Sequence, residues 1–480
     1  MKVFPSAMAR TSAICLTCAA CILCVSCKTN QKSDLSESPI REIAVVSRAN
    51  PNEPFAISPD GSSLVHVPTG VIQGERIYES IFDVEDVKKS SQIAAIKLPA
   101  EPKTGFQFNH IEFCDHGRYL LAVGPGTTIY PSADQTSTAQ DLITAQSEDF
   151  VKILDMKYNS LHAEISLSTA EHSLPPEALA RSKQVNPEFH WKKEWHGEAQ
   201  FAACAANAPI AAIVISYGNE FSALKILNLD TGTEAQGFGD IAIQTGVMGL
   251  AVSPQGSSLV LYSAGSMHGG EGEGAPNRRL MFIDLQNKKV GRTIWVRNDD
   301  ESRASIAYAG ESTVAAELVS QEYLGYSPSD SHLEPRYKFH NHASVHFFDV
   351  GTSSELQVIS DPNVDDFSFE GVSADGRIVL AYTGKSHICK SCNRGMGEQE
   401  VTDARFTLWN RETGQPIARS PELKVVHHTC SWFSLDYWTW KSCVASDEAP
   451  TLKLNQNGDA VVASWASGGE PIQVYSLPMH

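Results

Sequence analysis

The stretch FAISPDGSSLV at residues 55–65 places apolar residues on both sides of a Ser-Pro-Asp-Gly sequence. Pro59 restricts its own φ, and Gly61 accepts the positive φ that a tight turn often needs. An apolar–turn–apolar pattern of this length predicts a hairpin between two β-strands. Nearly the same phrase, LAVSPQGSSLV, returns at 250–260. The repetition predicts that the chain is built from copies of one structural unit.

Degenerate copies of this hairpin occur along the whole chain. Five further turns are centred on Gly117, Ala208, Gly310, Gly376 and Gly458. A second motif, a large apolar residue followed by a short polar one, accompanies each hairpin. Its seven occurrences are Phe82-Asp83, Leu154-Asp155, Leu227-Asn228, Ile283-Asp284, Phe348-Asp349, Trp409-Asn410 and Tyr475-Ser476. Each period has room for a hairpin, a third strand and a short fourth strand, which predicts an all-β, seven-bladed β-propeller of four-stranded antiparallel blades.

In these two motifs the chain resembles the WD-repeat and TolB-type propeller families over residues 41–480. The full Gly-His…Trp-Asp signature is absent, so the resemblance implies a fold and no particular activity. The last unit ends at its third strand, whereas REIAVVS at 41–47 is a strand without a hairpin of its own. We therefore expect the N-terminal strand to complete the last blade and close the ring.

Residues 1–26 have the features of a secretory signal peptide. Lys2 and Arg10 lie in the first ten residues, which contain no acid, and a run of small and apolar residues follows over 11–26. That run is short for a membrane span. We therefore expect the propeller to be exported.

The leader ends in LCVSC, which resembles a bacterial lipobox, where the signal is cleaved before a cysteine that is then lipid-modified. Cys24 occupies a position where leucine is usual, so ordinary secretion is the alternative. The resemblance implies lipidation of Cys27, for instance by palmitate, with the polar residues 27–40 as a tether. We expect a lipid-anchored protein of a bacterial cell envelope, on the periplasmic or surface-exposed side of an outer membrane.

Composition restricts the partners. The net charge is −18, and phosphate groups repel so acidic a chain, so we expect no nucleic-acid partner. We also expect no cofactor. Of the 11 cysteines, five lie in the leader and six in the predicted propeller. Cysteines outside the cytosol tend to pair.

Because neighbouring strands are antiparallel, successive connections lie alternately on two faces of a propeller. The short-turn face carries the hairpin turns and the turns after the apolar–polar dipeptides. The insertion face carries the connections from second to third strand and from blade to blade. Nearly every long insertion falls on this second face: 124–149, 170–199, 264–277, 320–343, 383–404 and 419–449. Long connections on a rigid scaffold are where binding sites usually occur.

Two insertions of blades six and seven are rich in cysteine. We expect two disulfides among Cys389, Cys392, Cys430 and Cys443. Pairing within each insertion closes the shorter loops, and crossed pairing stays open because four cysteines allow three arrangements. The alternative is a metal site in which thiolates join His387, His427 and His428. Thiols oxidise readily in an oxidising compartment, which favours disulfides.

The same region carries a cluster of aromatic residues: Trp432, Phe433, Tyr437, Trp438 and Trp440. They either pack on the edge of a blade or form an exposed patch for a partner, since large exposed apolar patches usually mark interaction sites. We expect a non-catalytic protein-interaction scaffold, held at the membrane by its lipid, with a protein partner on the insertion face. The alternative is an extracytoplasmic enzyme or metal-dependent protein that uses the His/Cys-rich loops of blades five to seven.

Overall fold

The computed structural model describes residues 40–46, 54–72, 75–78, 81–98, 104–106, 108, 110–128, 147–167, 198–216, 222–235, 241–243, 246–264, 277–300, 305–327, 336–388, 399–425, 449–465 and 471–478. In these ranges the chain forms seven antiparallel sheets, one small additional hairpin and a single 3-10 turn. The predicted all-β, seven-bladed propeller is confirmed.

The first described strand is β1 (Arg41–Val46). Blade 1 contains β2 (Phe55–Ile57), β3 (Ser63–His66), an inserted hairpin of β4 (Thr69–Ile72) and β5 (Glu75–Tyr78), then β6 (Ile81–Asp86) and β7 (Ser91–Lys97). Blade 2 contains β8 (Thr104–Phe106), β9 (His110–Cys114), the 3-10 turn (Asp115–Gly117), β10 (Tyr119–Thr128), β11 (Ser147–Asp155) and β12 (Ser160–Ser166). Blade 3 contains β13 (Glu198–Cys204), β14 (Ile210–Ser216), β15 (Ser222–Asn228), β16 (Thr233–Glu234) and β17 (Ile241–Ile243).

In the described residues, blades 4 to 7 have four strands each, and β1 is the fourth strand of blade 7. Blade 4 contains β18 (Val247–Val252), β19 (Ser258–Ala264), β20 (Arg278–Asp284) and β21 (Lys289–Val296). Blade 5 contains β22 (Ile306–Tyr308), β23 (Thr313–Ser327), β24 (Arg336–Asp349) and β25 (Glu355–Ile359). Blade 6 contains β26 (Asp366–Val372), β27 (Ile378–Ile388), β28 (Gln399–Asn410) and β29 (Gln415–Arg419). Blade 7 contains β30 (Thr451–Leu454), β31 (Ala460–Ser464) and β32 (Ile472–Ser476).

The ring is closed by β1, as the sequence predicts. β1 pairs antiparallel with β32, so the sheet order of blade 7 is β1-β32-β31-β30. Ala44 and Val46 of β1 are buried between blades 7 and 1, whereas Val45 faces outward. The first strand thus completes the last blade and pairs with the edge of β32, which would otherwise be exposed.

The core consists of seven apolar clusters among the described residues, one at each interface between neighbouring blades. The central strands are therefore apolar on both faces. In β19, for example, four successive residues from Leu259 to Tyr262 have no exposed surface. Continuous apolar runs of this kind are typical of strands that are buried on both sides.

Hydrogen bonds within the hairpin turns explain the repeated Ser-x-Asp-Gly sequence. The Ser58 hydroxyl donates to Asp60 Oδ1 at 2.7 Å and accepts from the Ser63 backbone N–H at 2.9 Å. In the copy at 250–260, glutamine occupies the position of Asp60. There the carboxylate comes from the next blade, because the Ser253 hydroxyl donates to Glu311 Oε1 at 2.8 Å. The turn motif therefore also ties blade 4 to blade 5.

Two expectations about local structure were wrong. In blade 1 the polar residue that ends the third strand is Asp86, not Asp83, because β6 continues for three residues beyond the dipeptide. Asp86 accepts a hydrogen bond from the Lys89 backbone N–H at 2.9 Å. Asp284 and Asp349, which end the third strands of blades 4 and 5, likewise accept from the backbone N–H three residues later. In blades 5 and 6 the described parts of insertions 320–343 and 383–404 are not loops. They prolong β23–β24 and β27–β28 as paired strands.

Candidate functional site

A groove with a volume of about 700 Å³ crosses blade 5 and reaches its neighbours on both sides. It lies toward the insertion face, because its walls include the linkers that join blade 4 to blade 5 and blade 5 to blade 6. The linker from blade 5 to blade 6 contributes Ser360, Asp361, Pro362, Val364 and Asp365. The groove is thus formed where blade-to-blade connections meet the extended strands of blade 5.

Strand β24 forms the floor of the groove and contributes residues 341–344, 346 and 348 to it. Phe348 packs in the apolar cluster between blades 4 and 5, together with Ile294 and Val296. Because side chains two residues apart share one face of a strand, His342, Ser344 and His346 also face blade 4. All three line the groove.

Three of the polar groups form a hydrogen-bonded chain. The Ser344 hydroxyl lies 2.9 Å from His346 Nε2, and His346 Nδ1 lies 2.9 Å from Glu355 Oε2. An ionised carboxylate only accepts hydrogen bonds, so Nδ1 carries a proton, and in the neutral ring Nε2 is then the acceptor for the serine hydroxyl. The His346 side chain is 20% exposed and that of Glu355 is 49% exposed, so this series of hydrogen bonds runs from the groove wall to solvent. This order of hydroxyl, imidazole and carboxylate can move a proton away from the serine oxygen.

The outer part of the groove is apolar. Trp295 on β21 is 52% exposed and Val358 on β25 is 43% exposed, and both line the groove. Val290 and Leu356, on the same two outer strands, are also exposed. Adjacent blades thus present a band of apolar side chains at their outer edges, and exposed apolar surface of this kind is typical of binding sites.

Ion pairs hold the walls in place. Arg419 Nη2 donates to Asp361 Oδ2 at 2.7 Å, which joins blade 6 to the linker that precedes it. Arg297 Nε donates to Asp299 Oδ1 at 2.7 Å on the opposite wall. Three carboxylates, those of Glu355, Asp361 and Asp365, and one guanidinium line the groove. Its charge is therefore negative, like that of the whole chain.

A second polar cluster lies among the innermost strands of the ring. Lys453 on β30 donates from Nζ to the Phe55 carbonyl oxygen at 2.7 Å and lies 4.6 Å from the centroid of its ring. Desolvation lowers the pKa of Lys453 to about 8, although the charge of Glu112 opposes the shift. Glu112 Oε2 lies 3.3 Å from His110 Nε2 and accepts from the Cys204 backbone N–H at 3.1 Å. These contacts join blades 1, 2, 3 and 7 near the axis.

One disulfide is present among the described residues, between Cys114 and Cys204. It joins the innermost strands of blades 2 and 3, and both residues are buried. The sequence analysis did not predict this pair, because two cysteines 90 residues apart give no local sign that they meet. The pairing follows only from the positions of β9 and β13 in adjacent blades.

Most of the predicted site residues lie outside the described residues. These are Cys27, Cys389, Cys392, Cys430, Cys443, His427, His428, Trp432, Phe433, Tyr437, Trp438 and Trp440. His387 lies on β27, but its side chain is not described. The expected disulfides, metal ligands and aromatic patch therefore stay predictions.

Within the part of the chain that the structure describes, no three His, Cys, Asp or Glu side chains converge in a way that could hold a metal ion. Over the same residues there is no helix with the length and hydropathy needed to cross a membrane.

Sequence reasoning missed Ser344, His346, Glu355 and Trp295. The signal for the first two was their spacing, because residues i and i+2 of a strand share a face. Glu355 gave no such signal, since it follows a turn and reaches His346 only through strand pairing. Trp295 lies on an outer strand, and its exposure depends on how blade 5 packs against blade 4.

Comparisons with known proteins concern the fold alone. No protein-family model and no curated protein matches the chain. Among solved structures, Kuenenia stuttgartiensis hydrazine synthase is similar with a TM-score of 0.48 and 14% identity, covering 91% of this chain and 98% of that one. The Myceliophteria thermophila Cps50 (Swd1) β-propeller domain gives 0.46 and 10%, covering 92% and 100%. A chain of the mitotic checkpoint complex gives 0.44 and 8%, covering 100% and 99%. Similarities at this level carry no conclusion about activity, and the fold assignment rests on the strand pairing above.

Proposed function

We propose that this propeller is a protein-interaction module that binds an extended segment of a partner protein in the groove across blade 5. The observation that supports the proposal is the groove itself, where the exposed Trp295 and Val358 border a cleft of about 700 Å³. A half-exposed tryptophan beside a cleft is the kind of residue that supplies most of the energy in protein interfaces. The seven-bladed scaffold holds these residues in fixed positions.

The partner segment is expected to be extended and to carry apolar and basic side chains. β25 is the outer strand of blade 5, and in the described chain it pairs only with β24. Its outer edge can therefore accept main-chain hydrogen bonds from an added strand. Leu356 and Val358 provide the apolar surface. The excess of carboxylates in the groove favours a cationic segment.

Peptides selected from a random display library against the purified protein test this assignment. Trp295→Ala should weaken binding of the selected peptides about 30-fold, the loss typical of an aromatic hot spot. Ile93→Ala is the matched control, because Ile93 is an exposed apolar residue on β7, an outer strand of a distant blade. Peptides that bind the Trp295 variant and the wild type equally well would show that the groove is not the interaction site.

The proposed location is the envelope of a bacterium, with the propeller anchored by lipid on Cys27. The Cys114–Cys204 disulfide supports an oxidising compartment, since such bonds are rare in the cytosol. Cys27→Ser should release the protein from membranes into a soluble extracytoplasmic fraction or block its processing. Soluble wild-type protein with an N-terminus beyond Cys27 would contradict the anchor.

The aromatic residues of segment 431–442 form a second part of the proposal. Their sequence pattern favours a docking patch on the insertion face, close in the chain to blades 6 and 7. Trp438→Ala and Trp440→Ala should leave the unfolding midpoint unchanged and weaken partner binding. A loss of folding in either variant would show instead that these side chains belong to the core.

A further inference from the structure

We propose that Ser344, His346 and Glu355 form a nucleophile–base–acid relay and that Ser344 accepts the acyl group of an ester bound in the groove. This activity goes beyond the binding function, and it is independent of any protein partner. It rests on the position and order of three side chains that the sequence analysis did not single out.

The geometry places each group in its chemical role. Ser344 Oγ lies 2.9 Å from His346 Nε2 and 3.4 Å from the Leu318 carbonyl oxygen, and the shorter contact positions the imidazole to take the hydroxyl proton. His346 Nδ1–H donates to Glu355 Oε2 at 2.9 Å, which fixes both the tautomer and the orientation of the ring. A serine without a hydrogen-bonded base of this kind is a weak nucleophile at neutral pH.

An irregularity in the strand pairing creates the third contact. Phe347 pairs with Gln357, but Phe348 pairs with Glu355, so Leu356 is skipped and a bulge forms in β25. Regular pairing would place Leu356 opposite Phe348. The bulge instead places Glu355 opposite Phe348, on the face of β24 that carries His346. Bulges that redirect a side chain are common next to functional sites.

The surroundings suit an ester with an apolar acyl chain. The apolar residues Trp295, Phe348 and Leu318 line the same groove. Arg297 also lines it, and its Nε donates to Asp299 Oδ1 at 2.7 Å.

The proposed reaction has two steps. In the first, Ser344 Oγ forms a bond to the carbonyl carbon of the ester, and its proton passes to His346 Nε2. The ester C–O bond then breaks, and the leaving alcohol takes the proton from Nε2. In the second, water attacks the acyl-serine with His346 as the base, which releases a carboxylic acid and restores the serine. Glu355 is a positioning residue, because it acts only through the imidazole.

The test is labelling of the full-length protein with a fluorophosphonate probe, followed by mass-spectrometric mapping of the adduct. The wild type should carry one adduct, on Ser344, and should release nitrophenol from the aryl ester nitrophenyl butyrate. Ser344→Ala should abolish both signals. Ser160→Ala is the matched control, because Ser160 is an exposed serine on β12 of blade 2 and lies outside the groove; the variant should label at the wild-type rate.

The labelling rate and its pH dependence distinguish the role of His346 as base from that of Glu355 as positioning residue. His346→Gln should slow labelling at least about 100-fold, the usual contribution of a general base. Glu355→Gln should slow it less and should move the acid side of the pH–rate profile to lower pH, because the imidazolium loses its anionic partner. Unchanged unfolding midpoints establish that the variants fold. An unlabelled wild type, or a label that persists in Ser344→Ala, overturns the assignment, and neither result bears on peptide binding to the groove.

Discussion

The closure of the ring by β1 can be tested at one side chain. Val46 is 5% exposed and packs between blades 7 and 1, whereas its neighbour Val45 is 42% exposed. The two residues have the same type, lie on the same strand and differ only in the face they occupy. We expect Val46→Ala to destabilise the protein and Val45→Ala to have little effect.

The magnitude follows from the buried groups. Replacing Val46 by alanine removes two methyl groups from an apolar cluster that includes Ile472 and Val474. At about 0.8 kcal/mol for each buried carbon, plus a smaller contribution from the cavity, the loss is about 2 kcal/mol. The lower β propensity of alanine applies to both variants and cancels in their difference. For Val45 we expect less than about 0.5 kcal/mol.

The assay is equilibrium unfolding in urea, with the free energy of unfolding compared between the two variants and the wild type. A chain that lacks residues 1–46 provides a second arm and should unfold at a lower urea concentration than either variant. Equal effects of the two alanine substitutions, or a truncated chain as stable as the wild type, would refute closure by β1.

Three further predictions concern stability. Replacing both Cys114 and Cys204 by alanine should lower the free energy of unfolding by about 3–5 kcal/mol, because the disulfide closes a loop of 90 residues. Reductant should lower the urea midpoint of the wild type in the same way, and an unchanged midpoint would contradict this. The pKa of Lys453 is lowered from 10.5 to about 8, so the unfolded chain holds more protons between these values and stability should rise with pH across that window, by at most about 3 kcal/mol. Unfolding measured across the window should show this rise in the wild type relative to Lys453→Met, and parallel curves would count against a desolvated ammonium. Gly376→Ala and Gly310→Ala impose similar backbone strain, because φ is +77° at Gly376 and +75° at Gly310. At position 376 an added Cβ would lie 2.5 Å from the Ala309 carbonyl carbon, whereas at position 310 it would meet nothing closer than 3.5 Å. Gly310→Ala should cost about 1–2 kcal/mol and Gly376→Ala clearly more, and equal losses in urea unfolding would contradict the clash.

Local sequence patterns were sufficient to predict the repeat. A turn that needs a positive φ and a strand that ends in a hydrogen-bonding side chain are short-range requirements. They therefore leave similar residues at the turns of most blades, as around Gly61 and Gly256, which both have positive φ. The seven hairpins and the closing strand all followed from these patterns. Where the pattern misled, at Asp83 in blade 1, the strand simply continued to Asp86.

The residues of the groove could not be predicted in the same way. Ser344 and His346 share a strand face, but Glu355 joins them only because a bulge shifts the pairing of β25 by one residue. Trp295 belongs to the same site because blade 4 packs beside blade 5. No local requirement acts on these four positions together, so they leave no common motif.

The sequence by itself determined the number of blades, the order of strands within each blade and the way the ring closes. These depend on turn conformation and on short apolar runs, which are properties of residues close together in the chain. The tertiary structure alone decided the Cys114–Cys204 disulfide, the position of Glu355 beside His346 and the groove across blade 5. Each of these joins residues from different strands or blades, and their distances are set by packing between elements that the linear order keeps apart.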